Sequence, residues 1–409
     1  MRARHTSHAL PAFPVYSSSF LSENELVLGG GGGTSRSGIK NKLRLYNVDS
    51  ERSLQLLDEF ELEKGEDAPM SMAAHIETST IICGVNSALE KLEKDQNENC
   101  RIFAVKDQKL ELLSTQGTLP PGDMEDYQKV AVFSPDGSLL AVAGGHDLSL
   151  FSFPSQSPLA EPIHTEKEIY DASLSGTTLV IATTHHLLVY ALPTSAEAQT
   201  PSPMSKGKGK EKKATLSNQS RASKLELLHT VEVPASAGGT NGGTFRAARY
   251  NPKDDHVFYT SINIPPSRNR KTKAVPRQAF ICKWNTKTWT VDKTRNFSDR
   301  GLTCFDVSAD GKYLGFGSSD MTIGLLDGHN LSPLVTILKA HDFPPTTIAF
   351  NAPSSLLVSG SPDNSIRIVS VPQSPANSSS WTIILLLITT LLVILLAVLA
   401  QNYLAGSIH

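Results

Sequence analysis

One unit recurs along this chain: a short apolar strand, a polar turn, a second strand, a tight turn and an alternating third strand. Residues 130–153 read VAVFSPDGSLLAVAGGHDLSLFSF, residues 303–326 read TCFDVSADGKYLGFGSSDMTIGLL, and residues 347–371 read TIAFNAPSSLLVSGSPDNSIRIVSV. The turns Pro135-Asp136-Gly137 and Ala309-Asp310-Gly311 allow positive φ and a side-chain-capped bend between strands of period two. Weaker copies follow at 170–191 and 245–284, where Asn251-Pro252-Lys253-Asp254-Asp255 takes the turn, with further copies at 71–105 and 13–48. Seven copies, several of them spaced by roughly 40 to 45 residues, predict an all-β, seven-bladed WD-type β-propeller. A Trp-Asp dipeptide is absent; Tyr46, Phe151, Tyr190 and Trp284 fill comparable third-strand positions. No single blade can bury both its faces, so the ring has to close to be stable.

At 409 residues the chain is long for one domain, but propellers keep that many residues in one closed body. The 38 basic side chains nearly balance the 40 acidic ones, so no overall field draws the chain to nucleic acid, and no nucleic-acid partner is expected. Cys83, Cys100, Cys282 and Cys304 lack metal-ligand spacing and read as reduced thiols of a cytosolic domain. Residues 1–15, broken by Arg2, Arg4, His5, His8 and two prolines, hold no secretory signal.

Residues 381–400 are 20 consecutive uncharged residues rich in Leu, Ile and Val. At about 1.5 Å per residue they would form a helix of roughly 30 Å, matching a bilayer core. The expected organisation is a cytosolic propeller over 1–376, a linker at 377–380, one C-terminal transmembrane helix at 381–400 and a short lumenal tail at 401–409. This is a single-pass chain, type II or tail-anchored. The Pro- and Ser-rich residues 372–380 would hold the propeller close to the bilayer.

Two insertions interrupt the ring. Residues 195–224, with the basic run Lys206 to Lys213, cannot bury enough apolar surface to order and read as a solvated loop between blades four and five. Residues 264–277 extend a turn of blade five in the same way.

The loop between the second and third strands of the first copy breaks the pattern. Elsewhere it is the four-residue bend Gly317-Ser318-Ser319-Asp320, Gly360-Ser361-Pro362-Asp363 or Gly144-Gly145-His146-Asp147, with Asp expected to cap the turn. In the first copy it is replaced by Gly29 to Gly33, then Thr34, Ser35, Arg36, Ser37, Gly38, Ile39, Lys40 and Asn41. Such a run costs backbone entropy on ordering, and nothing in the propeller repeat calls for it, which points to function. It is not a phosphate cradle. Gly33 and Gly38 have P-loop spacing, but Ile39-Lys40 stands where Lys-Ser/Thr is required, and a strand follows in place of a helix.

The run Leu28 to Gly33 followed by Gly38-Ile39-x-Asn41-Lys42-Leu43 resembles the exchange factors of the COP-II system, the prolactin regulatory element-binding protein family. The Ala340-His341-x-Phe343 turn, Ser319-Asp320-x-x-Ile323 and the late apolar segment extend the likeness over most of the chain. The resemblance implies a guanine-nucleotide exchange factor that activates a Sar-type small GTPase at the endoplasmic reticulum membrane and starts COP-II coat assembly. It implies Asn41, Ile39 and Gly38 as the residues carrying exchange. Gly30, Gly31, Gly32, Gly33, Thr34, Ser35, Arg36, Ser37, Lys40 and Pro69 would contact the GTPase. It also implies a structural potassium ion held at Gly31, Gly32, Gly33 and Asn41. The short tail carries over no lumenal function. Exchange needs no covalent chemistry, and the chain lacks Gly-x-Ser-x-Gly and His-Glu-x-x-His. The alternative is a tail-anchored scaffold or tether that docks coat or vesicle proteins without exchange, as many propellers do.

Overall fold

Strand-forming residues with buried, apolar inner faces build most of the fold. The protein is described from a computed structural model covering residues 4–35, 37–193, 223–239, 242–266, 277–372 and 385–398. It divides into two units, Met1–Ser370 and Val371–His409. The described residues of the first form seven four-stranded antiparallel sheets, the expected seven blades.

The first strand, β1 (His5–Ala9), does not belong to the first blade. Blade one is β2 (Val15–Phe20), β3 (Glu25–Gly30), β4 (Lys42–Val48) and β5 (Leu54–Glu61). Blade two is β6 (Ser71–His75), β7 (Thr80–Gly84), β8 (Cys100–Lys106) and β9 (Lys109–Gln116), with a one-turn helix, α1 (Leu89–Leu92), between β7 and β8. Blades three to six are β10–β13 (130–164), β14–β17 (169–232), β18–β21 (244–298) and β22–β25 (302–337). Blade seven is β26 (Thr347–Phe350), β27 (Leu356–Ser361) and β28 (Ser365–Ser370), completed by β1, which pairs antiparallel with β28 from His5↔Val369 to Ala9↔Ser365.

Apolar side chains between neighbouring blades supply the core. Val15, Leu26, Leu28 and Tyr46 of blade one pack with Val358, Ile366 and Ile368 of blade seven, so the closing seam is as apolar as the others. The third-strand aromatics fall where the repeat predicts: Tyr46 faces Leu26, Phe151 faces Leu140, Tyr190 faces Leu179 and Trp284 faces Phe258, all buried. Trp284 donates its indole N–H to Thr260 Oγ1 at 2.9 Å, satisfying its polar atom inside the core. The innermost strands surround a central channel of about 700 Å³, lined by Tyr16, Tyr127, Tyr170, Arg246 and Asp306 among others. All four cysteines are free thiols. Burial pushes Cys100 and Cys304 up to about 12 and Cys282 up to about 11, which leaves them protonated and unreactive.

The Asp turns behave differently from one another. Asp320 caps its own bend, accepting the Thr322 N–H at 3.1 Å. Asp363 accepts the Asp342 N–H of the neighbouring connection at 2.6 Å and the Ser365 hydroxyl at 2.6 Å. Beside it, His341 is buried, its Nδ1 2.9 Å from Ser365 Oγ and its Nε2 2.8 Å from Ser359 Oγ. Burial holds its pKa below 6.5, against the opposing pull of Asp363. The unfolded chain therefore takes up this proton at higher pH than the fold does. Stability is present above about pH 6.5 and is lost as pH falls from there to the depressed folded value. Asp306, buried and pushed up to about 6, acts in the opposite sense over part of that window. Comparing wild type with His341→Asn cancels it. Wild type is expected to lose more melting temperature than the variant between about pH 7.5 and about pH 5.5; equal losses would exclude His341 as the source.

In the second unit, residues 385–398 form a helix exposed along its whole length. Among the described residues, no helix is long and apolar enough to cross a membrane. Residues 381–384 and 399–400 of the expected span lie outside the described residues, as do the tail at 401–409, the linker at 377–380, residues 195–222 of the first insertion and residues 267–276 of the second. The first insertion falls between β16 (His186–Ala191) and β17 (Leu227–Glu232), inside blade four and not between blades four and five, because the blade's outer strand follows the insertion.

Candidate functional site

The glycine-rich excursion joins β3 to β4. It shares a face of the ring with the blade-to-blade connections, and two of those connections support it. Gly31 donates its N–H to the Pro14 carbonyl at 2.9 Å, in the connection leading into blade one. Asn41 reaches the connection leading into blade two, donating from Nδ2 to the Glu66 carbonyl at 2.7 Å.

Asn41 locks the loop. Its Oδ1 accepts the Gly33 N–H at 2.8 Å, and its Nδ2 donates to the Gly33 carbonyl at 3.0 Å as well as to Glu66. Its own carbonyl accepts the Leu62 N–H at 2.9 Å. With both amide hydrogens used and the residue only 9% exposed, Asn41 sits at the loop's base and not at its tip.

The glycines divide into two groups. Gly29, Gly30 and Gly31 are buried. A Cβ on Gly29 would stand 2.7 Å from Pro69 Cβ, and one on Gly30 would stand 2.2 Å from the Pro14 carbonyl oxygen. Gly31, at φ +141°, would place a Cβ 2.3 Å from Asn41 Oδ1 and 2.5 Å from its Cα, and Gly32 would place one 2.2 Å from Ser37 Oγ. Gly38, at φ +76°, has nothing within 4 Å of a Cβ. Gly31→Ala is therefore expected to cost about 2 kcal/mol or more through forced displacement, and Gly38→Ala about 1 kcal/mol of backbone strain. Chemical denaturation of the two variants checks the order.

The outward surface consists of Thr34, Ser35, Ser37, Gly38 and Lys40, with Gly32, Gly33 and Ile39 half-buried. Ser35 donates its hydroxyl to the Gly32 carbonyl, and Ser37 Oγ accepts the Ile39 N–H at 3.3 Å, so the excursion carries its own internal bonds. Lys40 pairs with Glu61 at 2.6 Å in solvent, a contact worth little. Arg36 lies outside the described residues. Pro69 is buried beneath Gly29, and its carbonyl accepts the Ser17 hydroxyl at 2.7 Å, so it supports the base of the loop.

A second expanded connection, absent from the sequence reading, stands beside this loop. Residues 85–99, between β7 and β8, replace the usual short bend and carry α1. Their carbonyls and amides hold one another through Asn86, Asn97 and Ser87: Asn97 Nδ2 donates to Asn86 Oδ1 at 3.1 Å, and the Ser87 N–H donates to Asn97 Oδ1 at 3.1 Å. The Asn86 carbonyl accepts the Asp67 N–H at 3.0 Å, which joins this connection to the one that holds Asn41.

Comparison with known proteins finds relatives of the chain as a whole. The WD domain, G-beta repeat family matches residues 332–370, the stretch containing His341 and Asp363. The guanine nucleotide-exchange factor SEC12 of Candida glabrata is 24% identical over 386 residues, spanning 92% of this chain and 74% of its own length. SEC12-like protein 2 of Arabidopsis thaliana is 26% identical over 352 residues, spanning 83% of this chain and 74% of its own. The guanine nucleotide-exchange factor SEC12 of Rattus norvegicus is 22% identical over 377 residues, spanning 83% and 81%. Among solved structures, Raptor from Chaetomium thermophilum superposes with a TM-score of 0.59 at 13% identity. That match covers 91% of this chain but 29% of Raptor, a likeness of fold alone. The chain is thus similar over nearly its whole length to proteins named as exchange factors, in agreement with the resemblance carried by its blade-one loop.

Proposed function

We propose that this chain is a guanine-nucleotide exchange factor for a Sar-type small GTPase, acting at the endoplasmic reticulum membrane to start COP-II coat assembly. The observation that carries the reading is the braced excursion at 31–41, whose Asn41 fixes the base while Thr34, Ser35, Ser37, Gly38 and Ile39 are left for a partner. The naming of the Candida glabrata and Rattus norvegicus relatives as exchange factors supports it.

Exchange requires only that the factor bind the nucleotide-free GTPase more tightly than the loaded one. A loop held in shape before the encounter spends less binding energy on ordering and leaves more for displacing nucleotide. Asn41 positions the loop, Ile39 supplies an apolar contact, and Gly38 lets the backbone approach closely.

A structural potassium ion fits this loop on one physical ground. The Ile39 and Lys40 carbonyl oxygens stand 2.8 Å and 2.7 Å from where Cβ atoms of Gly32 and Gly31 would sit, so backbone carbonyls approach this stretch as closely as only glycine permits. Backbone carbonyls suit a hard monovalent cation. Gly31, Gly32, Gly33 and Asn41 are the residues that would hold it, and the ion would supply charge that keeps converging carbonyls together. In this reading residues 381–400 form the membrane anchor and COP-II coat proteins assemble beside the activated GTPase.

The test measures release of fluorescently labelled GDP from a Sar-type GTPase by the full-length chain on liposomes. Acceleration of about tenfold or more in potassium salt, reduced in lithium salt, is the expected result. Binding without acceleration would establish the scaffold reading instead, and salt-independent acceleration would remove the ion from the proposal.

A further inference from the structure

Behind Asn41 lies a buried ion pair whose geometry leads back to the loop. Arg101, on β8, points its Nη2 at Glu66 Oε1 at 2.6 Å, and the two side chains are 5% and 3% exposed. Arg101 Nε donates to the Glu98 carbonyl at 2.7 Å, within the expanded β7–β8 connection. Glu66 Oε2 accepts the Glu63 N–H at 3.0 Å, closing the turn before blade two. The carbonyl of the same Glu66 then receives Asn41 Nδ2, and Asn41 holds Gly33 by both its N–H and its carbonyl.

Burying an ion pair gains little stability over an apolar pair of the same volume. What this pair does fix is a direction: the carboxylate is held at both oxygens, the N–H of the same peptide unit, that of Asp67, is bonded to the Asn86 carbonyl at 3.0 Å, and between them they keep the Glu66 carbonyl aimed at Asn41. Without that acceptor, one Asn41 amide hydrogen loses its partner and the side chain is free to rotate away from Gly33.

We infer that Arg101 and Glu66 are positioning residues for the exchange loop, transmitting the rigidity of blade two through the Glu66 carbonyl and Asn41 to Gly33. This rests on the exchange reading above and adds to it two residues that touch no partner. It also assigns a role to the β7–β8 connection, which anchors Arg101 through the Glu98 carbonyl.

The test uses the full-length chain on liposomes. The double variant Arg101→Met with Glu66→Gln removes both charges while nearly preserving volume, so no buried charge is stranded. Arg101→Lys serves as a milder second variant should the double variant fold poorly. The control is Asp171→Asn with Arg249→Met, which removes another ion pair with a buried aspartate, far from the loop in the channel wall.

Two readouts are taken: hydrogen exchange at the Gly33 amide, and GDP release from the GTPase. Positioning predicts that the double variant exchanges the Gly33 proton at least about tenfold faster and releases GDP at least about tenfold more slowly, while the control changes neither at equal loss of melting temperature. Unchanged Gly33 exchange in a folded variant overturns the inference. So does faster Gly33 exchange with undiminished GDP release. A wild-type chain that does not accelerate GDP release from the GTPase defeats the exchange reading, while the Gly33 measurement still decides whether the pair holds the loop.

Discussion

Asn41→Ala is expected to slow GDP release by about 100-fold while the propeller stays folded. Three hydrogen bonds leave with the side chain, two to Gly33 and one to Glu66. Each is worth about 1 kcal/mol net, and water can replace part of them at a half-buried loop, so the stability loss is about 1 to 3 kcal/mol. That is small for a ring of seven blades, whereas the excursion loses the only side chain that grips Gly33 from both sides among the described residues. Asn41→Asp sharpens the test. It keeps the oxygen that accepts the Gly33 N–H but cannot donate to the Gly33 or Glu66 carbonyls, and it sets a negative charge among them. It should be as inactive as the alanine variant. An alanine variant that releases GDP at the wild-type rate would remove Asn41 from the site.

Deletion of residues 4–9 is expected to produce the largest loss of stability. The β1–β28 ladder has five residue pairs and so about four to six hydrogen bonds, and at about 1 kcal/mol for each its removal costs about 5 kcal/mol. It also bares the edge of β28, a template for pairing with another chain. Denaturation should show a lower midpoint, and size-exclusion chromatography should show aggregation that wild type lacks. An unchanged midpoint would mean that the apolar seam between blades one and seven holds the ring without the ladder.

The blades were legible because their strands alternate cleanly and their turns carry Asp-Gly or Ser-Asp, so local chemistry and tertiary position agree. Tyr46, Phe151, Tyr190 and Trp284 were placed correctly for the same reason. β1 was not legible. His5 to Ala9 reads HTSHA, with no apolar face, and becomes a strand only because β28 offers it a partner. The β7–β8 connection escaped notice for the opposite reason: its order comes from Asn86, Ser87 and Asn97 bonding to one another across ten residues or so, without a glycine run to mark it. For the glycine loop, the sequence pointed to Asn41 but not to its burial. Its partner Glu66 lies 25 residues away, and a polar residue ending a polar loop reads as exposed until that partner is known. Pro69 likewise proves to be a buried support, recognisable only once Gly29 packs against it.

The placement of β1 has a consequence for how the molecule is made. The strand made before blade one is the last of the ring to find its mate, because residues 365–369 are among the final ones of the domain to be synthesised. While the blades between them are made, this strand stays orphaned, and six blades must wait as an open arc. Closure joins segments at nearly the greatest separation the domain allows, which makes maturation slow and dependent on guarding that loose end from wrong partners.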